Sequence, residues 1–268
     1  MHDEIKDWLY QNRHQFYIGL SLDGTQQMHN TNRSKSFSRI DADFFAKTWA
    51  DQPIKMTISQ ETLPNLAEGV IFLHSLGFEI SNNFAVGIDW TNSQNKELAY
   101  QELNKLVEYY LQNPDIEPCS LMDMKIEYLD YPAKKWCGVG THMVVFDVDG
   151  TSYPCQSFLP MTVGKEKADT SHSIDFKALE QSLTSSECED CILLPICPTC
   201  YGSNYNVSGD LTKKDSNLCQ LTKIRASACA YLKAKKLLMK EDVSELSVEE
   251  YQTVKSALQI QDKLSLLT

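Results

Sequence analysis

Residues 188–200 read CEDCILLPICPTC, and the spacing of these four cysteines decides the fold. A Cys-x2-Cys pair on a tight turn brings two thiolates to one metal centre. Here two such pairs, Cys188/Cys191 and Cys197/Cys200, are separated only by ILLPI. Zinc ribbons place roughly 15–20 residues between their knuckles so that each forms its own turn. Five residues are too few for two independent hairpins. Apolar residues packed on closely spaced thiolates suit an iron–sulfur cluster, whose sulfurs favour a dry shell. Working outward, Cys137 and Cys155 lie upstream and Cys219 downstream. Seven thiols exceed one tetrahedral site and fall one short of two. On spacing alone, iron–sulfur leads, with zinc and inert buried thiols as alternatives.

These seven cysteines fall between positions 137 and 219 of a 268-residue chain, and the first 118 residues contain none. A secreted disulfide scaffold is usually short and cysteine-dense throughout. Clustered thiols in a reducing compartment are more often metal ligands. With 25 Lys+Arg against 36 Asp+Glu, the formal charge of −11 argues against a nucleic-acid partner. No apolar run is long enough for a membrane span, and MHDEIKDWLYQ lacks signal-peptide order. The expected location is cytoplasmic.

Ahead of the cysteines, helices are expected over 4–13, 42–49 and 97–112, with strands over 16–24 and 54–59. A further helix starts near Pro64 and stops at Gly77. Residues 78–80 and 84–88 have strand composition, separated by Asn82-Asn83. Alternating strands and helices indicate β/α units on a parallel sheet, too few here to close an eight-fold barrel. After Pro132 the character changes. Asp149-Gly150 signals a hairpin between 143–148 and 151–153. A short helix is expected at 174–183. Pro195, Pro198 and Gly202 argue against regular structure around the thiols, and a long helix spans 218–238. Ser247 and Glu250 have capping-box spacing before a last helix. The expected division is 1–130, 131–238 and a helical tail, 239–268.

The cysteine pattern resembles the SPASM domain, the auxiliary-cluster domain of many radical S-adenosylmethionine (SAM) enzymes. Its motif runs Cys-x9–15-Gly-x4-Cys, then Cys-x2-Cys-x5-Cys-x3-Cys, then a distant Cys. Here Cys137, twelve residues, Gly150, four residues and Cys155 precede the central group and Cys219, and Cys197-Pro-Thr-Cys200 departs by one spacer. The resemblance implies one cluster on Cys188, Cys191, Cys197 and Cys219, and another on Cys137, Cys155 and Cys200. SLDGTQQMHNTNR at 21–33 is similar to the segment after the fourth strand of the radical SAM partial barrel. KMTIS at 55–59 and FAVGIDW at 84–90 resemble its fifth and sixth strands. By that likeness Ser21 and Asp23 lie toward the S-adenosylmethionine site. Asp23, His29 and Arg33 equally suit local hydrogen bonding in a strand-end turn.

The implied fold is α/β: an incomplete radical SAM (β/α) partial barrel followed by a small Cys-rich SPASM domain with a β-hairpin and C-terminal helices. The Cys-x3-Cys-x2-Cys loop of the radical cluster occurs nowhere in the sequence. No catalytic residue is therefore assigned, and S-adenosylmethionine is expected only if a missing N-terminal part is supplied by a separate chain. In sulfatase-maturing relatives an Asp follows the second SPASM cysteine. Gln156 stands there, and its amide cannot act as a base at neutral pH. The implied function is the auxiliary portion, with two [4Fe–4S] clusters, of a maturase acting on a ribosomal peptide or protein, and not active alone. The alternative is a non-enzymatic iron–sulfur or zinc-binding scaffold for a peptide or partner protein. A severed β/α sheet also exposes a strand edge, so self-association or a partner is expected.

Overall fold

The computed structural model describes residues 1–15, 18–133, 136–178, 186–239 and 246–264. The chain divides into two compact units, residues 1–124 with 227–245 and residues 125–226 with 246–268. Among the described residues no helix is long and apolar enough to cross a membrane.

The first unit contains α1 (Asp3–Gln11), α2 (Gln26–Asn32), α3 (Ala42–Thr48), β1 (Ile54–Ile58), α4 (Leu66–Ser75), β2 (Ile80–Phe84) and α5 (Ser93–Gln112). β1 and β2 are parallel, from Ile54 opposite Ile80 to Ile58 opposite Phe84. Ser21 forms a parallel bridge with Lys55, and Leu22 N–H donates to Lys55 O at 2.9 Å. Three parallel segments thus lie side by side, each followed by a helix. This is the partial barrel expected from the sequence, and no barrel closes among the described residues.

β1 buries Ile54, Met56 and Ile58 and exposes Lys55, the alternation of a half-covered strand. Leu66, Val70 and Leu73 of α4 and Leu103, Leu106 and Tyr110 of α5 are fully buried. Gly24 (φ +79°) adopts a backbone conformation that favours glycine. A Cβ there would lie 2.7 Å from Met28 Sδ and 3.0 Å from Gly69 Cα, so the turn after Asp23 packs tightly against α4.

Two strand expectations are corrected. In 16–24 the ladder is reduced to the bridge at Ser21, and Phe16 and Tyr17 lie outside the described residues. The later strand is centred on Asn82-Asn83, and 84–90 turns away at Gly87 (φ +83°). Buried Asn82 belongs in the strand because its polar atoms are matched: Oδ1 accepts from Leu121 N–H at 3.0 Å and Ser120 Oγ at 3.1 Å. Hydrogen-bonded burial removes the penalty that composition assigns to asparagine in a strand.

The second unit contains β3 (Val145–Phe146), β4 (Ser152–Tyr153), α6 (Pro160–Val163), α7 (Lys165–Ser171), α8 (Tyr201–Ser208), the start of α9 (Ser216–Leu238) and α10 (Val248–Leu264). From residue 227 onward α9 belongs to the first unit. β3 and β4 form the expected antiparallel hairpin, closed by Asp147 N–H to Thr151 O at 2.8 Å. Ser247 and Glu250 form a reciprocal capping box, with Ser247 N–H to Glu250 Oε2 at 2.9 Å and Glu250 N–H to Ser247 Oγ at 3.2 Å. Val139, Tyr153, Cys155, Phe158, Tyr201 and Tyr205 belong to this unit's core.

One further expectation is corrected, that of irregular structure around the thiols. Of the helix expected at 174–183, residues 174–177 are not helical and Ala178 is in a 3-10 segment, with Asp175 Oδ1 accepting from Lys177 and Ala178 N–H. Residues 179–183 lie outside the described ones. Helix instead forms at α8, which includes Gly202. A Cβ at Gly202 would lie 2.2 Å from Ser157 Cβ, so its glycine serves close packing rather than helix breaking.

Candidate metal centre

The cysteines are carried on short turns joined to helix starts. Cys188 ends a 3-10 turn, Ser186–Cys188, and Cys191 N–H donates to Cys188 O at 3.0 Å. Leu194–Ile196 form a second 3-10 turn, which delivers Cys197. Cys200 is the N-cap of α8, its sulfur accepting from Ser203 N–H at 3.4 Å. Cys219 lies in the first turn of α9, its N–H donating to Asp215 O at 3.0 Å. All nine cysteines are free thiols.

Cys188, Cys191, Cys197, Cys200 and Cys219 line one pocket with Leu194, Pro198 and Leu218. Its cavity of about 50 Å³ exceeds the roughly 10–15 Å³ needed for one water, so the thiols surround space. Among the described residues, no three His, Cys, Asp or Glu side chains converge as ligands of a single ion.

Neighbouring thiols act on one another. Burial pushes the Cys219 thiol up, opposed by Lys223 and reinforced by Cys197, Cys191 and Cys188. Burial also raises Cys197, against Thr199 and Lys214, with Cys191 and Cys188 adding to the rise. Cys155 is raised by burial, opposed by Ser157, with Cys200 and Cys137 adding to the rise. Cys200 thus neighbours Cys155 and also lines the pocket of Cys188, Cys191, Cys197 and Cys219. Tyr201 is pushed up by burial and then by Cys137 and Cys197.

Buried polar groups missed at the sequence level hold the pocket wall. Ser203 Oγ donates to Asp215 Oδ2 at 2.9 Å, and Asp215 N–H donates to Asn204 Oδ1 at 3.0 Å. Asn204 Nδ2 donates to Leu211 O at 2.8 Å, and Asp215 Oδ1 accepts from Asn217 N–H at 3.0 Å. Asp215 directly precedes α9, an N-cap signal that its sequence position offered. Lys214 and Thr199 carry no comparable signal. Cys229 donates to Leu121 O at 3.2 Å. Cys119 is buried, with Asn82 Nδ2 at 3.4 Å from its sulfur.

In the first unit, Ser21 is half-buried near the C-terminal end of its parallel segment. Asp23 is fully buried. Its Oδ1 accepts from Thr57 N–H at 2.8 Å and Arg33 Nη2 at 3.1 Å, and its Oδ2 from Arg33 Nε at 2.8 Å and Asn32 Nδ2 at 3.2 Å. His29 Nδ1 accepts from Asp23 N–H at 3.2 Å, which leaves Nε2 to donate to Ser36 Oγ at 2.9 Å. Asp23, His29 and Arg33 are thus brought together as one hydrogen-bonded group.

Five sulfurs line the pocket together with Leu194, Pro198 and Leu218 and with the polar Thr199, Asn204, Lys214, Asp215 and Thr222, and the number of thiols fits an iron–sulfur cluster. No protein-family model and no curated protein matches this sequence. Solved structures of anSMEcpe, an anaerobic sulfatase-maturating enzyme of the radical SAM/SPASM class, share its fold. Hexahistidine-tagged anSMEcpe with bound AdoMet is 15% identical at a TM-score of 0.64, over 96% of this chain and 72% of that one. Native anSMEcpe with bound AdoMet and Cp18Cys peptide is 17% identical at 0.60, over 88% and 73%.

Proposed function

We propose that, on a fold shared with a radical SAM/SPASM enzyme, this chain is the auxiliary-cluster portion of a maturase acting on a ribosomal peptide or protein. Cys188, Cys191, Cys197 and Cys219 hold one [4Fe–4S] cluster, and Cys137, Cys155 and Cys200 hold a second with one iron left to another ligand. The observation that carries this reading is the gathering of Cys188, Cys191, Cys197, Cys200 and Cys219 around one pocket. A single zinc draws thiolates to about 3.8 Å from one another, as a tetrahedron with 2.3 Å bonds requires. A four-iron cube holds its ligands further apart, around a space, and a pocket lined by five thiols supports that reading. Bound there, the clusters supply one-electron transfer.

The protein's residues set the surroundings. Leu194, Pro198 and Leu218 keep water from the sulfurs, and Ser203 donates its N–H to Cys200. S-adenosylmethionine and peptide, both bound in anSMEcpe structures, are proposed here as partners of the assembled enzyme. Ser21 faces that role from a strand end, where ligands of parallel sheets bind. Asp23 holds the same end through Thr57 and Arg33. The 268 residues contain no Cys-x3-Cys-x2-Cys, so the radical cluster's thiolates come from residues outside them.

Anaerobic reconstitution with iron and sulfide tests the assignment. The expected result is about eight irons per chain with a brown absorption band near 400 nm, by analogy with two cubane clusters. One tightly held zinc without colour overturns it in favour of a zinc scaffold.

A further inference from the structure

The pocket lined by Cys188, Cys191, Cys197, Cys200 and Cys219 contains an ammonium group that ligation does not use. Lys214 Nζ donates to Thr199 Oγ1, and that hydroxyl lies 3.3 Å from Cys197 Sγ. Thr199 is fixed beside the sulfur because its own N–H donates to Cys197 O at 2.8 Å. Lys214 Nζ also stands 5.9 Å from the Tyr201 ring centroid. The following residue, Asp215, is anchored by its N–H on Asn204. Asp215 brings a carboxylate to the same pocket, fixed by Ser203 Oγ and Asn217 N–H, and its charge opposes that of Lys214. A second ammonium, Lys223, acts on Cys219.

We propose that Lys214, linked through Thr199 to the Cys197 sulfur, is a positioning residue that raises the reduction potential of the cluster on Cys188, Cys191, Cys197 and Cys219. The inference rests on the two-cluster assignment. A cubane with four thiolates is anionic, and reduction adds one more negative charge. A fixed cation beside it in a low-dielectric pocket favours the reduced form. Hydrogen bonding at a ligand sulfur acts in the same direction by withdrawing electron density.

The test is a redox titration of the reconstituted full chain, followed by electron paramagnetic resonance. Wild type is expected to show two one-electron transitions. In Lys214→Met one of the two falls by at least tenfold in its reduction equilibrium, about 59 mV for one electron, while the other stays. Lys214→Arg keeps the charge and restores most of the loss. Thr199→Val retains the ammonium but cuts the link, and produces a smaller fall in the same transition. Unchanged transitions in Lys214→Met, or a rise in either, overturn the proposal. If Lys214→Met takes up less iron, Thr199→Val decides, and unmoved transitions there overturn it. Wild type without iron removes the cluster assignment and this proposal together. That outcome differs from the others because it appears before any substitution.

Discussion

Asp23 shows how much one side chain holds in place. Its four acceptor sites are all used, two by Arg33, one by Asn32 and one by the Thr57 backbone of β1. Asp23→Ala leaves Arg33 and the Thr57 N–H without this partner. The expected loss is about 3 kcal/mol, the low end for breaking a buried pair because Arg33 is partly solvated. Urea unfolding of wild type and variant measures it, and a loss below about 1 kcal/mol would show the carboxylate to be replaceable. The sequence identified Asp23, His29 and Arg33 as a group because their spacing is local. It held no sign of Thr57, whose contact comes from strand pairing 34 residues away.

Two histidines make stability depend on pH. Burial depresses His29, with Asp23 partly opposing. Burial also depresses His74, whose ring bridges Phe78 O at 3.2 Å and Tyr110 Oη at 2.9 Å. Unfolded histidine titrates near about 6.5. Below that pH the unfolded chain binds more protons than the folded one, so stability falls as pH drops through about 6.5 toward the lower folded values. Urea midpoints at about pH 7.5 and about pH 5.5 should show the fall. His74→Gln should lessen it, and an equal slope in that variant would remove His74 from the account.

At the scale of elements, legibility followed the locality of the cause. α5, α10 and the β3–β4 hairpin are marked by periodicity, a capping box and Asp-Gly, all written within a few residues. β2 and α8 are misplaced by the same rules, because Asn82 and Gly202 answer to distant partners, Ser120–Leu121 and Ser157. Gly202→Ala should force α8 away from the 3-10 turn Gln156–Phe158, at a cost of about 1–3 kcal/mol. Ser157→Gly removes the opposing Cβ and should recover part of that loss. Thermal unfolding of both singles and the double variant measures the coupling, and simple additivity would refute the contact. Ser247→Ala should cost about 1 kcal/mol by removing half of the α10 box.

For the whole molecule, the three parallel segments of the first unit leave backbone edges without a strand partner among the described residues. Such edges favour pairing with another chain. The charge of −11 opposes contact between copies, and salt screens that repulsion. Self-association should therefore rise with ionic strength in sedimentation velocity, and a monomer at every salt concentration would contradict it. The cysteine spacing marked the candidate thiols, five of which line one pocket. Lys214 was not legible, because its place on Thr199, beside Cys197, exists only once the chain returns from α8 to α9.

That return also orders events in time. Cys229, Lys233 and Lys236 of α9 bond to Leu121, Asp123 and Pro114 of the first unit. Chains leave the ribosome N-terminus first, so these contacts become available only after every proposed cluster ligand has been translated. The first unit must wait, incomplete, while the thiols of the second emerge. Delivery of iron and sulfide during synthesis would then meet the thiol-bearing segment before the N-terminal unit is finished.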